Sequence, residues 1–107
     1  MKRTIVILSH IIMVISVKAQ INFNNNTINS QNYSSAIGEQ NTSTGLSSFA
    51  SGKLNASEGS YSISLGYGIS ATGNSSFGAG LYNSLSGGYS IGIGNYLSAT
   101  QTKSFII

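Results

Sequence analysis

From residue 32 to residue 107 the polar and apolar positions repeat every fourteen residues. In register the chain reads NYSSAIGEQNTSTG, LSSFASGKLNASEG, SYSISLGYGISATG, NSSFGAGLYNSLSG, GYSIGIGNYLSATQ and a half-copy, TKSFII. A fixed short period means that one supersecondary unit is stacked many times. With columns counted from Asn32, column three is serine in every copy (Ser34, Ser48, Ser62, Ser76, Ser90, Ser104). Column seven is glycine in each complete copy (Gly38, Gly52, Gly66, Gly80, Gly94), and column fourteen is glycine in the first four (Gly45, Gly59, Gly73, Gly87). Glycines seven residues apart predict two turns per repeat, at positions needing φ > 0 or a tight bend. The segments between them are too short for helices and suit strands of four or five residues.

Alternation within those strands predicts which side chains point inward. Columns four and six (Ser35/Ile37, Phe49/Ser51, Ile63/Leu65, Phe77/Ala79, Ile91/Ile93, Phe105/Ile107) are expected inside. In the complete copies Phe in column four meets Ser or Ala in column six, and Ile meets Leu or Ile. A close-packed interior requires such volume exchange. Columns ten and twelve supply the opposite wall: Asn41/Ser43, Asn55/Ser57, Ile69/Ala71, Asn83/Leu85 and Leu97/Ala99. An inward Asn is costly unless its amide is paired. Asn41 and Asn55, in neighbouring coils, are expected to form an amide ladder, and Asn83, between Ile69 and Leu97, to bond backbone. The column-three serines read as hydroxyls bonding the turn backbone.

A second period of twenty-eight residues overlies the first, because column two runs Tyr33, Ser47, Tyr61, Ser75, Tyr89. A duplicated two-coil unit explains it, and surface features should then recur in every second coil. Residues 20–31 form an Asn-rich leader or a degenerate capping coil; extending the register backward puts Ile21 and Phe23 in columns four and six and Asn24 at the turn glycine.

Residues 1–19 have a basic start (Lys2, Arg3), an apolar run from Ile5 to Val17, and Val17-Lys18-Ala19 before Gln20, the layout of a signal peptide. The run, broken by Ser9 and His10, falls short of the ~20 residues of a spanning helix. The mature chain is therefore expected not to span a membrane. The formal net charge of +3 comes from this segment, since residues 20–107 carry Lys53 and Lys103 against Glu39 and Glu58. A near-neutral chain has no basic stripe for phosphate contacts, so nucleic acid is not an expected partner. With no cysteine in the sequence, no disulfide framework holds the domain.

Residues 20–107 also lack His and Asp, which removes Ser-His-Asp and Cys-His constellations. Glu39 and Glu58 fall near different turns and do not make a glycosidase pair, and no His/Cys cluster or oxygen cage is available for a metal. The expectation is a non-enzyme with no catalytic residues, cofactor or metal.

The repeats NYSSAIGEQNTSTG and SFGAGLYNSLSGGYSIGIGNYLSATQ resemble the head repeats of YadA-like trimeric autotransporter adhesins over essentially the whole mature chain. The resemblance implies an all-β, left-handed parallel β-roll (a β-solenoid) of 14-residue coils, assembled as a homotrimer. It also implies secretion or display on the bacterial cell surface (outer membrane), with cell adhesion to host extracellular matrix or another surface. Members of the family carry a neck, a coiled-coil stalk and a membrane barrel, none of which this sequence shows. It therefore reads as a fragment, or as a secreted head anchored through another chain.

Two tyrosine-bearing edges are the candidate ligand or oligomer interfaces. Column nine places Tyr82 and Tyr96 in adjacent coils, with Leu54, Tyr67 and Leu81 on the same edge. A contiguous apolar edge on a polar protein marks an interaction site. Tyr33, Tyr61 and Tyr89 recur in column two. The alternatives to an adhesin head are a structural spacer of a surface fibre or an ice-binding solenoid. The latter would use Thr42/Thr44, Ser70/Thr72, Ser84/Ser86 and Ser98/Thr100, a hydroxyl face interrupted by Ala56 and Glu58.

Overall fold

The structure, a computed structural model, describes residues 23–107; the signal-peptide assignment lies outside the described residues. The chain is an all-β parallel solenoid of about fourteen residues per turn. One wall is a seven-stranded sheet of β1 (Phe23–Asn24), β3 (Ser35–Glu39), β5 (Phe49–Lys53), β7 (Ile63–Tyr67), β9 (Phe77–Leu81), β11 (Ile91–Asn95) and β13 (Phe105–Ile106). The other is a six-stranded sheet of β2 (Thr27–Ile28), β4 (Thr42–Ser43), β6 (Ala56–Ser57), β8 (Ser70–Ala71), β10 (Ser84–Leu85) and β12 (Ser98–Ala99). Each strand pairs in parallel with its equivalent one coil on, Phe49 opposite Ile63 and Ile63 opposite Phe77, so like columns form files along the axis.

The leading turn departs from this register. Phe23 faces Gly38 and Thr27 faces Thr42, a spacing of fifteen. The 3₁₀ turn at Ser30–Asn32 carries the extra residue. Asn26, rather than a residue placed by strict fourteen-residue counting, therefore stands opposite Asn41, and Asn25 takes the left-handed corner at φ 54°.

The expected inward face of the long strands is reversed. Columns three and five are buried in the complete coils, and columns four and six lie on the outer surface, half-buried or exposed. The cause is the width of the interior. A Cβ on Gly78 would meet Ile69 Cγ2 and Leu85 Cδ1, both at 2.5 Å, and one on Gly92 would meet Leu85 Cδ2 at 2.8 Å. The roll has no space for inward Phe or Ile on this wall. The volume exchange sought in columns four and six operates instead across the roll: Gly78 stands against Leu85, and Ala36 and Ala50 share their coils with Asn and Ser. Columns ten and twelve point inward as expected, apart from the half-buried Leu97.

Among the described residues, eleven buried polar residues outnumber six buried apolar ones, so hydrogen bonds fill much of the core. Column ten is the principal device. The Asn55 amide donates to the Ser51 and Gly66 carbonyls, both at 2.8 Å, while its Oδ1 accepts from the Ile69 backbone N–H at 2.9 Å. Asn41 repeats the pattern with Ile37, Gly52 and the Asn55 N–H, and Asn83 with Ala79, Gly94 and the Leu97 N–H. The expected amide-to-amide ladder is thus an amide-to-backbone clip that ties the coils of Asn41, Asn55 and Asn83 each to the next, and Asn83 bonds backbone as anticipated.

Column seven of the next coil supplies one of the two carbonyl acceptors of each clip, and column six of the same coil the other. Its glycines hold φ between 113° and 146°, a region denied to other residues, and a Cβ on Gly52 would overlap the Gly66 carbonyl oxygen one coil on. Column-fourteen glycines have ordinary φ but the same close approach: a Cβ on Gly59 would overlap the Gly73 oxygen. The left-handed corners themselves fall two residues after each glycine, in columns nine and two, and are occupied mainly by other residues, five of them tyrosine. At the corners from Gln40 onward the N–H turns along the axis to the preceding coil, as in Tyr61 to Leu46 O at 2.7 Å and Tyr82 to Tyr67 O at 2.8 Å, whereas the Tyr33 N–H closes its own 3₁₀ turn on Ser30 O at 3.4 Å. These bonds carry the ladder around the bend.

Column-three serines bond turn backbone where geometry allows. Ser76 donates to Gly73 O at 2.7 Å and Ser90 to Gly87 O at 2.6 Å. In the coil between Gly59 and Gly73 the equivalent acceptor, Gly59 O, takes the Ser62 backbone N–H, and the buried Ser62 hydroxyl has no partner. Chemical denaturation should therefore rank three variants. Asn55→Ala strands two carbonyls and an N–H and should lose at least about 2 kcal/mol; Ser76→Ala should lose about 1 kcal/mol; Ser62→Ala should be neutral or slightly stabilising.

Candidate functional site

The two sheets meet at two corners, and each corner presents aromatic residues. At the column-nine corner the left-handed backbone throws the side chain outward from the roll. Tyr82 (φ 51°) and Tyr96 (φ 57°) are brought together as stacked rings, with centroids 5.5 Å apart and planes 28° apart. Tyr67, at the end of β7, meets Tyr82 edge-on, at 5.1 Å and 88°. Offset-stacked and edge-to-face pairs are both favoured by the ring quadrupole and contribute about 0.5–1.5 kcal/mol each beyond area burial. Leu54 and Leu81 lie on this edge, Leu54 exposed and Leu81 half-buried. The five residues expected there from sequence thus occupy one edge, and three of them form a contiguous ring cluster.

One glycine that sequence reasoning passed over makes the cluster possible. Gly68 occupies the column-nine corner at φ 67°, and a Cβ there would lie 2.6 Å from Tyr82 Cδ1. The Tyr82 ring rests in the space a side chain would fill. Its signal in the sequence is a break in file: Leu54, Gly68, Tyr82, Tyr96, with glycine preceding the first tyrosine.

The Tyr82 phenol is raised above its usual value of 10.0, chiefly by side-chain hydrogen bonding with Tyr67, then by desolvation and by repulsion from ionised Tyr67 and Tyr96. Beside it, Lys53 Nζ and Glu39 Oε1 form the expected column-eight ion pair at 3.3 Å. An exposed pair of this kind contributes about 0–1 kcal/mol.

The opposite corner holds Tyr33, Tyr61 and Tyr89, which are 79%, 59% and 65% exposed. Their φ values of 55°, 59° and 55° match those of Ser47 (51°) and Ser75 (56°), which alternate with them.

A third surface was not anticipated. Because columns four and six face outward, Phe49, Ile63, Phe77, Ile91 and Phe105 form one apolar file on the seven-stranded sheet. A parallel file runs Ile37, Ser51, Leu65, Ala79, Ile93. The alternation itself was visible in the sequence; its direction was not.

Among the described residues no group of three or more His, Cys, Asp or Glu could hold a metal ion, and no helix is long and apolar enough to cross a membrane. Compared with known proteins, the chain matches no protein-family profile, no curated protein and no solved structure. Its class is defined by its architecture, a parallel β-solenoid with two aromatic corners and an apolar outer sheet face.

Gly68→Ala tests the cluster. The added methyl must displace the Tyr82 ring, so the near-ultraviolet circular dichroism of the stacked tyrosines should fall while the far-ultraviolet β signal persists. An unchanged near-ultraviolet spectrum would show that the rings do not depend on this glycine.

Proposed function

We propose that this chain is the non-catalytic head of a surface fibre: several copies associate through the apolar face of the seven-stranded sheet, and the assembled rod attaches to other surfaces through its corners. The observation that carries the reading is the outward apolar file of Phe49, Ile63, Phe77 and Ile91, each half-buried on the sheet surface, continued by Phe105. A face this long and apolar on an otherwise polar protein supports burial against another protein surface. The repeat makes every coil contribute the same contact, so association strength grows with the number of coils.

The resemblance to YadA-like adhesin heads agrees with this reading and supplies its finer form, a left-handed roll assembled as a homotrimer on a bacterial surface. Attachment to extracellular matrix would then be multivalent. Many weak corner contacts held on one stiff rod give an avidity far above that of any single contact. The ring cluster of Tyr67, Tyr82 and Tyr96 is the candidate contact on one edge of the rod.

Two measurements test these halves separately. Light scattering should give three times the chain mass for the wild type, and Phe77→Glu, which puts a charge into the middle of the apolar file, should shift the mass toward the monomer. A wild-type monomer at micromolar concentration would refute the assembly. On immobilised matrix proteins, Tyr82→Ala/Tyr96→Ala should weaken retention about tenfold or more with the oligomer intact. Retention equal to wild type would remove this edge from the contact.

A further inference from the structure

We infer that the second corner, Tyr33, Tyr61 and Tyr89, is a binding site for a neutral, extended β-1,4-linked polysaccharide. The inference concerns a different edge from the Tyr67–Tyr82–Tyr96 cluster and holds whether or not that cluster contributes to attachment.

The first observation is conformational. All three tyrosines sit in the left-handed region, where bulky residues are rare. They receive little packing in return, being 79%, 59% and 65% exposed, and among the described residues no other aromatic ring pairs with them. Ser47 and Ser75 hold the same corner at the same φ, so the fold does not require an aromatic residue there. Strained, exposed aromatic residues that the backbone does not need are a signature of function rather than of stability.

The second is spacing. Coils stack at about 4.8 Å, so tyrosines two coils apart are about 9.6 Å apart. They cannot stack on one another, and each leaves a ring face free. In a β-1,4-linked chain of pyranose sugars, successive rings are flipped, so the same face recurs on every second sugar. That two-sugar repeat is close to the tyrosine interval, and the small difference is within the reach of a flexible tyrosine side chain. Three rings on one straight edge would meet sugars one, three and five of a single chain.

The third is chemistry. The C–H face of a pyranose is apolar and its rim is hydroxylated, which suits a phenol ring surrounded by uncharged hydrogen-bonding groups. Between the tyrosines the edge offers the hydroxyls of Ser47, Ser60 and Ser75 beside the exposed Leu46, while Asn32 and Asn74 brace the corner, the first donating to Thr44 O and the second accepting from the Ser60 N–H. In contrast to an anionic polymer, a neutral glycan needs no cation. The charges near the row are one of each sign, Lys103 beyond Tyr89 and the exposed Glu58 three residues before Tyr61, so the edge as a whole is close to neutral.

The test uses the full chain and three insoluble probes: cellulose and chitin, which are β-1,4-linked, and a β-1,3-glucan whose chain coils and lacks the flat two-sugar repeat. Depletion isotherms should show retention on cellulose or chitin and at least tenfold weaker retention on the β-1,3-glucan. Tyr61→Ser places the residue of the neighbouring corners at the middle of the row, so the fold is preserved by design. It should cut affinity about tenfold. The triple change of Tyr33, Tyr61 and Tyr89 to Ser should abolish retention, with mass and circular dichroism unchanged. Tyr82→Ala/Tyr96→Ala should leave glycan retention as it is, which separates this site from the other edge. Equal retention on all three polymers, unaltered retention by the triple variant, or retention only on an immobilised polyproline peptide would each overturn the inference.

Discussion

The close approach of successive coils at their glycines constrains the whole molecule. At columns seven and fourteen the carbonyl oxygen of one coil lies where the preceding coil's Cβ would be, at both ends of the long strand. That contact sets how flat each coil lies, and the flatness leaves an interior that admits Gly, Ala, Ser and an occasional Leu or Ile. A core so small in side-chain volume gains little from burial of apolar area, which scales with the area removed from water. Hydrogen bonding must supply cohesion, and the buried serines and Asn clips do so with nearly every polar atom satisfied. The glycines are therefore not passive spacers: the φ that admits them also presents the carbonyls that Asn41, Asn55 and Asn83 bind.

The same constraint pushes the large side chains outside. Phe and Ile in column four cannot enter the roll, so they form a continuous apolar face on the seven-stranded sheet. A sheet that is polar inside and apolar outside inverts the usual arrangement of a soluble domain, in which one face packs on the core and the other meets water. The stacked chain has a small core of its own and keeps a half-buried file of Phe and Ile on its outside, and association is a physical route by which that file could contribute further to stability.

The period, the parallel files, the inward Asn residues and the pairing of Asn83 with backbone were all legible in the sequence, because a fourteen-residue repeat with two glycines leaves few alternatives. The direction of the long strands was not. Alternation specifies two faces without saying which is buried, and the ordinary rule that apolar side chains go inward chose columns four and six. A signal was present: column five is Ala, Ala, Ser, Gly, Gly, and column three is always Ser, a set too small to make an outer surface but suited to a narrow interior. The leading coil shows a second limit. Strict counting misses one residue because the 3₁₀ turn at Ser30–Asn32 absorbs it, while Asn26 keeps the role of the column-ten amide by accepting from the Asn41 N–H at 2.8 Å.

At the corners the fold separates side-chain identity from the backbone ladder. Their left-handed backbone is needed to turn an N–H along the axis, and that requirement is met by Gln40, Leu54, Gly68, Ser47 or Tyr61 alike. Side-chain identity there is nearly independent of the ladder, because the chain contributes its N–H and points its side chain away from the roll. Corner residues can consequently vary without cost to the core, unlike columns three, five, seven, ten and fourteen, where volume or a hydrogen bond is fixed. Repetition then converts a single corner side chain into a row with a set interval: one coil for the stacked Tyr82 and Tyr96, two coils for Tyr33, Tyr61 and Tyr89. The two edges of one roll thus carry rulers of different spacing. Adjacent tyrosines satisfy each other, whereas tyrosines two coils apart remain open to a ligand whose own repeat matches theirs.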